Sequence, residues 1–99
     1  MTRKQLLLIQ LSEELSEVQV EISKAQRFGL DGINPTTKET NLNAIIREFT
    51  DILAVLDEIL FSEQIMLLPI SKKGEHYRNK RDKIVKYLEY SKAIGILNE

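Results

Sequence analysis

A chain of 99 residues with 42% hydrophobic side chains can form a single domain over 1–99, but only a thin core, so assembly with further copies would help it cover apolar surface. It has no cysteine and one histidine, His76, which excludes disulfides, thiolate metal sites and histidine-rich metal sites within one chain. The net charge of −1 hides a division: residues 1–71 carry 6 Lys/Arg against 11 Asp/Glu, whereas residues 72–92 carry 8 against 3, so an acidic front of −5 precedes a basic rear of +5.

The apolar run at the start, Leu6–Ile9, is short and acids soon follow it, so neither a signal peptide nor a membrane span is expected, and the protein reads as soluble and cytoplasmic. Residues 3–28 form the first predicted helix, with Leu7, Leu11, Val18, Ile22 and Ala25 recurring at helical spacing. Gly29 can cap it, and Gly32, Asn34 and Pro35 read as turn and loop. The polar stretch "TTKETN" offers N-caps for a second helix over about 41–62, whose buried face is marked by Leu42, Ile45, Phe49, Ile52, Leu56 and Ile59. Pro69 and Gly74 break the chain before a third helix over about 75–93, with Ile84, Val85, Leu88 and Tyr87 facing inward. Met66 and the run "IMLLPI" are expected to pack as core or interface, and the tail "IGILNE" to dock. Strand signals are almost absent, so the predicted fold class is all-α: an antiparallel helical hairpin plus a third helix. The wide apolar arc of the second helix, broadened by Ile46, Leu53, Leu60 and Phe61, favours pairing of two hairpins into a four-helix-bundle-type homodimer.

The stretch "LSEELSE" sets three glutamates among apolar positions. With about 100° per residue and Leu7 at zero, Glu14 falls at about −20°, inside the apolar stripe, and Glu17 at about −80°, on its shoulder. Glu13, at about −120°, points outward. On the second helix, with Ile45 at zero, Glu48 falls at about −60° between apolar neighbours and Asp51 at about −120°, at the edge. Each helix thus carries an i, i+3 carboxylate pair at the margin of its buried face. An antiparallel hairpin lets the pairs meet, and four carboxylates together repel one another unless a hard divalent cation joins them. Mg²⁺, with Mn²⁺ as the alternative, suits an all-oxygen ligand set and bridges to phosphates. A carboxylate di-iron centre would need Glu-x-x-His motifs, which are absent here.

"EELSE" (Glu13, Glu14, Glu17) followed by "EFTD" (Glu48, Asp51) resembles the E-E-x-x-E … E-x-x-D pattern of MazG-like proteins, the all-α nucleoside triphosphate pyrophosphohydrolases related to dimeric dUTPases and dCTP pyrophosphatases. The resemblance spans about residues 5–62 and extends weakly to "KRDKIVKYLEYSK". It implies assembly as a homodimer or homotetramer, and Mg²⁺-dependent hydrolysis of a nucleoside triphosphate to the monophosphate and pyrophosphate, in nucleotide-pool housekeeping or removal of a signalling nucleotide. It also implies Glu14, Glu17, Glu48 and Asp51 as metal ligands, Glu14 or Glu17 as the group that orients or deprotonates water, and Lys83, Lys86 and Tyr87 as phosphate contacts. Two departures stand out: the segment between the motifs is longer than in compact members, so the loop over 29–40 reads as an insertion, and there is no upstream helix with tryptophan or histidine for base recognition.

Two other readings use the same residues. A nucleotide-binding or sequestering protein would hold metal and phosphate without turnover. A helical interaction module would use the stripe as a seam and neutralise Glu14 across it. Nucleic acid is not the expected partner of residues 72–92, because Glu75, Asp82 and Glu89 interrupt the basic residues and Tyr77, Tyr87 and Tyr90 form no stacking motif.

Overall fold

The computed structural model describes residues 1–66 and 69–99. It is all-helical, in the order α1 (Arg3–Phe28), α2 (Asn41–Ser62) and α3 (Glu75–Ala93). Among the described residues there is no β-strand, only an isolated antiparallel bridge between Ile33 and Thr40. No described helix is long and apolar enough to cross a membrane. The chain divides into two compact units, Met1–Leu68 and Pro69–Glu99.

The first unit is the hairpin of α1 and α2. Helix α1 starts in a capping box: Gln5 N–H donates to Thr2 Oγ1 at 3.1 Å, and Thr2 N–H donates to Gln5 Oε1 at 2.8 Å. It stops at Gly29, whose φ of +84° is left-handed and cheap only for glycine. Thr40 caps α2 by accepting from Asn43 N–H at 3.1 Å. Lys4 near the start of α1 meets Glu63 just beyond the end of α2, Nζ to Oε1 at 2.6 Å, so the two helices run antiparallel.

The loop between them is tied down by backbone polar groups. Asn41 N–H donates to Gly32 O at 2.9 Å and Leu42 N–H to Leu30 O at 3.0 Å, so loop carbonyls satisfy donors in the first turn of α2. The Asn41 side chain is buried and donates from Nδ2 to Gly29 O at 2.8 Å. Gly32 is required by this closure, since a Cβ there would lie 2.7 Å from both Asn41 Nδ2 and Phe28 O. Gly32→Ala is therefore expected to destabilise the hairpin by about 1–3 kcal/mol, the usual cost of overpacking, and a thermal melt followed by circular dichroism reads it as a lower Tm.

Helical periodicity marks the buried arc only in part. Val18 and Ala44 are buried, and Leu7, Leu11, Ala25, Ile45, Ile52, Val55, Leu56 and Ile59 are half-buried. Leu42, Phe49 and Ile22, expected inside, are instead 43%, 49% and 38% exposed. One neighbouring helix covers only part of a wide apolar arc, and these residues lie beyond the part it covers. Leu8, Leu15 and Ile22 on α1 and Leu42, Ile46, Phe49 and Leu53 on α2 all stay exposed. They recur at helical spacing on the flank of each helix opposite its acids. The hairpin thus keeps an exposed apolar flank on the side away from its two acid pairs.

The second unit holds α3 and the tail. Ile84, Val85 and Leu88 are exposed rather than turned into a core, and so is Tyr87. Among the described residues of this unit α3 has no second helix to pack against. Ile96 N–H and Leu97 N–H return to Ser91 O at 2.9 and 3.0 Å, which leaves Ser91 buried and Leu97 half-buried. Of the run expected to pack before α3, Met66 and Ile70 are exposed, and Leu67 and Leu68 lie outside the described residues.

Candidate metal centre

The antiparallel hairpin brings the two i, i+3 pairs together. Glu14 and Glu17 of α1 and Glu48 and Asp51 of α2 each offer one carboxylate oxygen, and these oxygens all lie within 4.8 Å of one another. Glu48 is buried, Glu14 half-buried and Glu17 exposed, so the cluster reaches from inside the hairpin to its surface. Glu13 is exposed, as its outward angle requires.

The hydrogen bonding of the cluster is incomplete. Glu48 Oε1 accepts from Arg47 Nη1 at 2.8 Å. Glu48 Oε2 and Glu14 Oε2 are both buried and have no hydrogen-bond partner. A buried carboxylate oxygen without a donor carries a desolvation cost that nothing offsets. Accordingly the Glu48 carboxyl is held above the usual carboxylate range, first by burial and further by the neighbouring Glu17 carboxyl, with Arg47 acting in the opposite direction. The Arg47 guanidinium is held above its ordinary value by hydrogen bonds to Glu39 first and Glu48 second.

This donor set fits a hard divalent cation. It is all carboxylate oxygen, it converges, and two of its oxygens are buried with no other partner. Mg²⁺ and Mn²⁺ take such ligands, whereas thiolate- or imidazole-preferring metals find no sulfur or nitrogen here.

The raised Glu48 carboxyl has a measurable consequence. A carboxyl that binds its proton more tightly in the folded chain than in the unfolded one makes stability fall as pH rises between the two values. In the presence of EDTA the Tm is therefore expected to rise as pH is lowered toward 4.5, the ordinary value for this group. Glu48→Gln should lose that rise, and saturating Mg²⁺ should oppose it, since metal and proton compete for one oxygen. Melts across a pH series with EDTA or Mg²⁺ measure both.

Two residues at the cluster do not belong to the sequence motif. Arg47 precedes Glu48 and stands one turn before Asp51, and Glu39 lies in the loop before α2. The spacing Arg47–Asp51 is a helical i, i+4 relation and could have flagged the arginine. Glu39 reaches Arg47 only through the fold of the loop, which no periodicity announces. Lys83, Lys86 and Tyr87 lie together on one stretch of α3, all exposed. Comparison of the chain with protein-family models, curated proteins and solved structures gives no match.

Proposed function

We propose that this chain is a Mg²⁺-dependent nucleoside triphosphate pyrophosphohydrolase whose metal ligands are Glu14, Glu17, Glu48 and Asp51. The observation that carries this reading is the convergence of four carboxylates within 4.8 Å, with the buried Oε2 atoms of Glu14 and Glu48 lacking any partner. The likeness of "EELSE … EFTD" to the MazG-like pattern supports the choice of reaction.

In this reading water adds to the α-phosphorus, the bond from that phosphorus to the α–β bridging oxygen breaks, and pyrophosphate leaves from the monophosphate. Bound Mg²⁺ supplies charge neutralisation at the triphosphate oxygens and a more acidic water. Glu48, buried and braced by Arg47, is the fixed element of the site. Glu17 is exposed, and it or Glu14 orients the attacking water and takes its proton. The MazG-like pattern also assigns phosphate contacts to Lys83, Lys86 and Tyr87, within the basic stretch 72–92.

The same proposal includes assembly. Among the described residues no large side chain is fully buried, and the exposed apolar flank of the hairpin supports pairing of two hairpins into a four-helix bundle. That pairing would use the flank opposite the acids and leave the acidic face open to nucleotide.

Product analysis tests the reaction. A panel of ribo- and deoxynucleoside triphosphates is incubated with the protein and Mg²⁺, Mn²⁺ or EDTA. Equimolar monophosphate and pyrophosphate, formed with either metal and abolished by EDTA, is the expected result. Folded protein that binds Mg²⁺–nucleotide and yields no product would replace this reading with the non-catalytic binder.

A further inference from the structure

Arg47 is held from two sides. Its Nε donates to Glu39 Oε2 at 3.2 Å and Oε1 at 3.4 Å, its Nη2 donates to Glu39 Oε1 at 3.2 Å, and its Nη1 donates to Glu48 Oε1 at 2.8 Å. Glu39 is itself set by the loop. Asn34 Oδ1 accepts from Thr36 N–H at 2.8 Å and Thr37 N–H at 3.1 Å, and Asn34 N–H donates to Glu39 O at 2.9 Å. Lys38 takes a left-handed φ of +63°, a conformation rare outside glycine that turns the chain just before Glu39. The ordered loop thus positions an acid, the acid orients a guanidinium, and the guanidinium lies against a carboxylate of the candidate metal centre.

A guanidinium has five N–H donors. One on Nε, one on Nη2 and one on Nη1 are engaged, and among the described residues no partner takes the remaining N–H on either terminal nitrogen. The side chain is 50% exposed, so these donors can meet a ligand arriving from solvent. One N–H on each terminal nitrogen is thus left for phosphate oxygens, which the planar, always-charged guanidinium binds better than a lysine ammonium does.

We infer that Arg47, oriented by Glu39, is a polyphosphate-binding residue of the acidic centre, and that the loop over 29–40 serves to aim it. This rests on the metal-centre reading of the four acids. Arg47 binds the phosphate chain at the centre itself, from the same hairpin that supplies the acids. Its contact with Glu48 also offsets part of the acidic charge before metal arrives.

The test uses inorganic tripolyphosphate as probe, with Mn²⁺ in place of Mg²⁺. Binding of Mn²⁺ alone, and of tripolyphosphate at saturating Mn²⁺, is measured for the wild-type chain, Arg47→Gln, Arg47→Lys and Glu39→Gln, with helicity checked by circular dichroism. Arg47→Gln should weaken tripolyphosphate binding on the order of tenfold or more, as expected for loss of charged hydrogen bonds. It should leave Mn²⁺ affinity equal or higher, because a competing cation has gone. Arg47→Lys should recover only part of the loss, and Glu39→Gln should weaken tripolyphosphate binding less than Arg47→Gln does. Wild-type tripolyphosphate affinity in Arg47→Gln would overturn the inference and leave the metal centre standing. Equal losses of Mn²⁺ and tripolyphosphate would overturn it too, reducing Arg47 to a support for Glu48. A wild-type chain that binds no Mn²⁺ would instead remove the metal centre, and this inference with it.

Discussion

Glu48→Gln is expected to abolish Mg²⁺-dependent turnover while raising the Tm of the metal-free protein. The two effects have one origin. Glu48 is 6% exposed, its Oε2 has no partner, and its ionised form is disfavoured by burial and by Glu17. Glutamine keeps the shape, can still accept from Arg47 and removes the buried charge, so the fold loses a source of strain. The same change removes an anionic ligand. Alteration of residues that merely support ligands costs about 10–100-fold, so loss of a ligand should cost at least about a hundredfold in activity. Glu14→Gln, Glu17→Gln and Asp51→Asn should also lose turnover, with helicity intact. The exposed Glu17 should show little of the gain in Tm, because solvent already screens its charge. Steady-state rates with Mg²⁺ and melts in EDTA separate the two effects. Full activity in Glu48→Gln would count against its role as a ligand.

The second large effect concerns the face opposite the acids. Phe49 and Leu53 are 49% and 43% exposed on the apolar flank of α2. Carrying Phe49→Lys and Leu53→Lys together should halve the solution mass or reduce it further, because two charges would have to be desolvated in an apolar seam. Mn²⁺ binding should persist, since all four acids belong to one hairpin. Turnover should fall on the order of a hundredfold, the scale at which misplacement by about 1 Å acts, if a second copy steadies the hairpin. Light scattering coupled to gel filtration, read beside pyrophosphate release, measures both. A variant with unchanged mass would remove this flank as the seam.

Much of this architecture could be read from the chain. Both ends of α1 and the start of α2 follow from Thr2, Gly29 and Thr40, because caps are local chemistry and need no knowledge of the rest of the fold. The acid pairs were legible for a related reason. A step of about 100° fixes which flank Glu14, Glu17, Glu48 and Asp51 occupy, and the antiparallel hairpin then brings the pairs together. Periodicity also marks an apolar arc, but it does not say how much of that arc a neighbour covers. Leu42 and Phe49 therefore looked internal and lie exposed, as do Ile84, Val85 and Leu88 on α3. The Glu39–Arg47 pair was invisible for a third reason: it joins the loop to α2, and its geometry depends on Asn34 and on a left-handed Lys38.

Titration of the wild-type chain with Mn²⁺, followed by electron paramagnetic resonance of the free ion, tests the central claim most directly. Saturable loss of the free-ion signal in the wild type, reversed by Mg²⁺ and missing or strongly weakened in Glu48→Gln, is the result expected of a divalent metal centre built from Glu14, Glu17, Glu48 and Asp51. A free-ion signal that follows total Mn²⁺ in folded wild-type protein, or equal binding in Glu48→Gln, would contradict it.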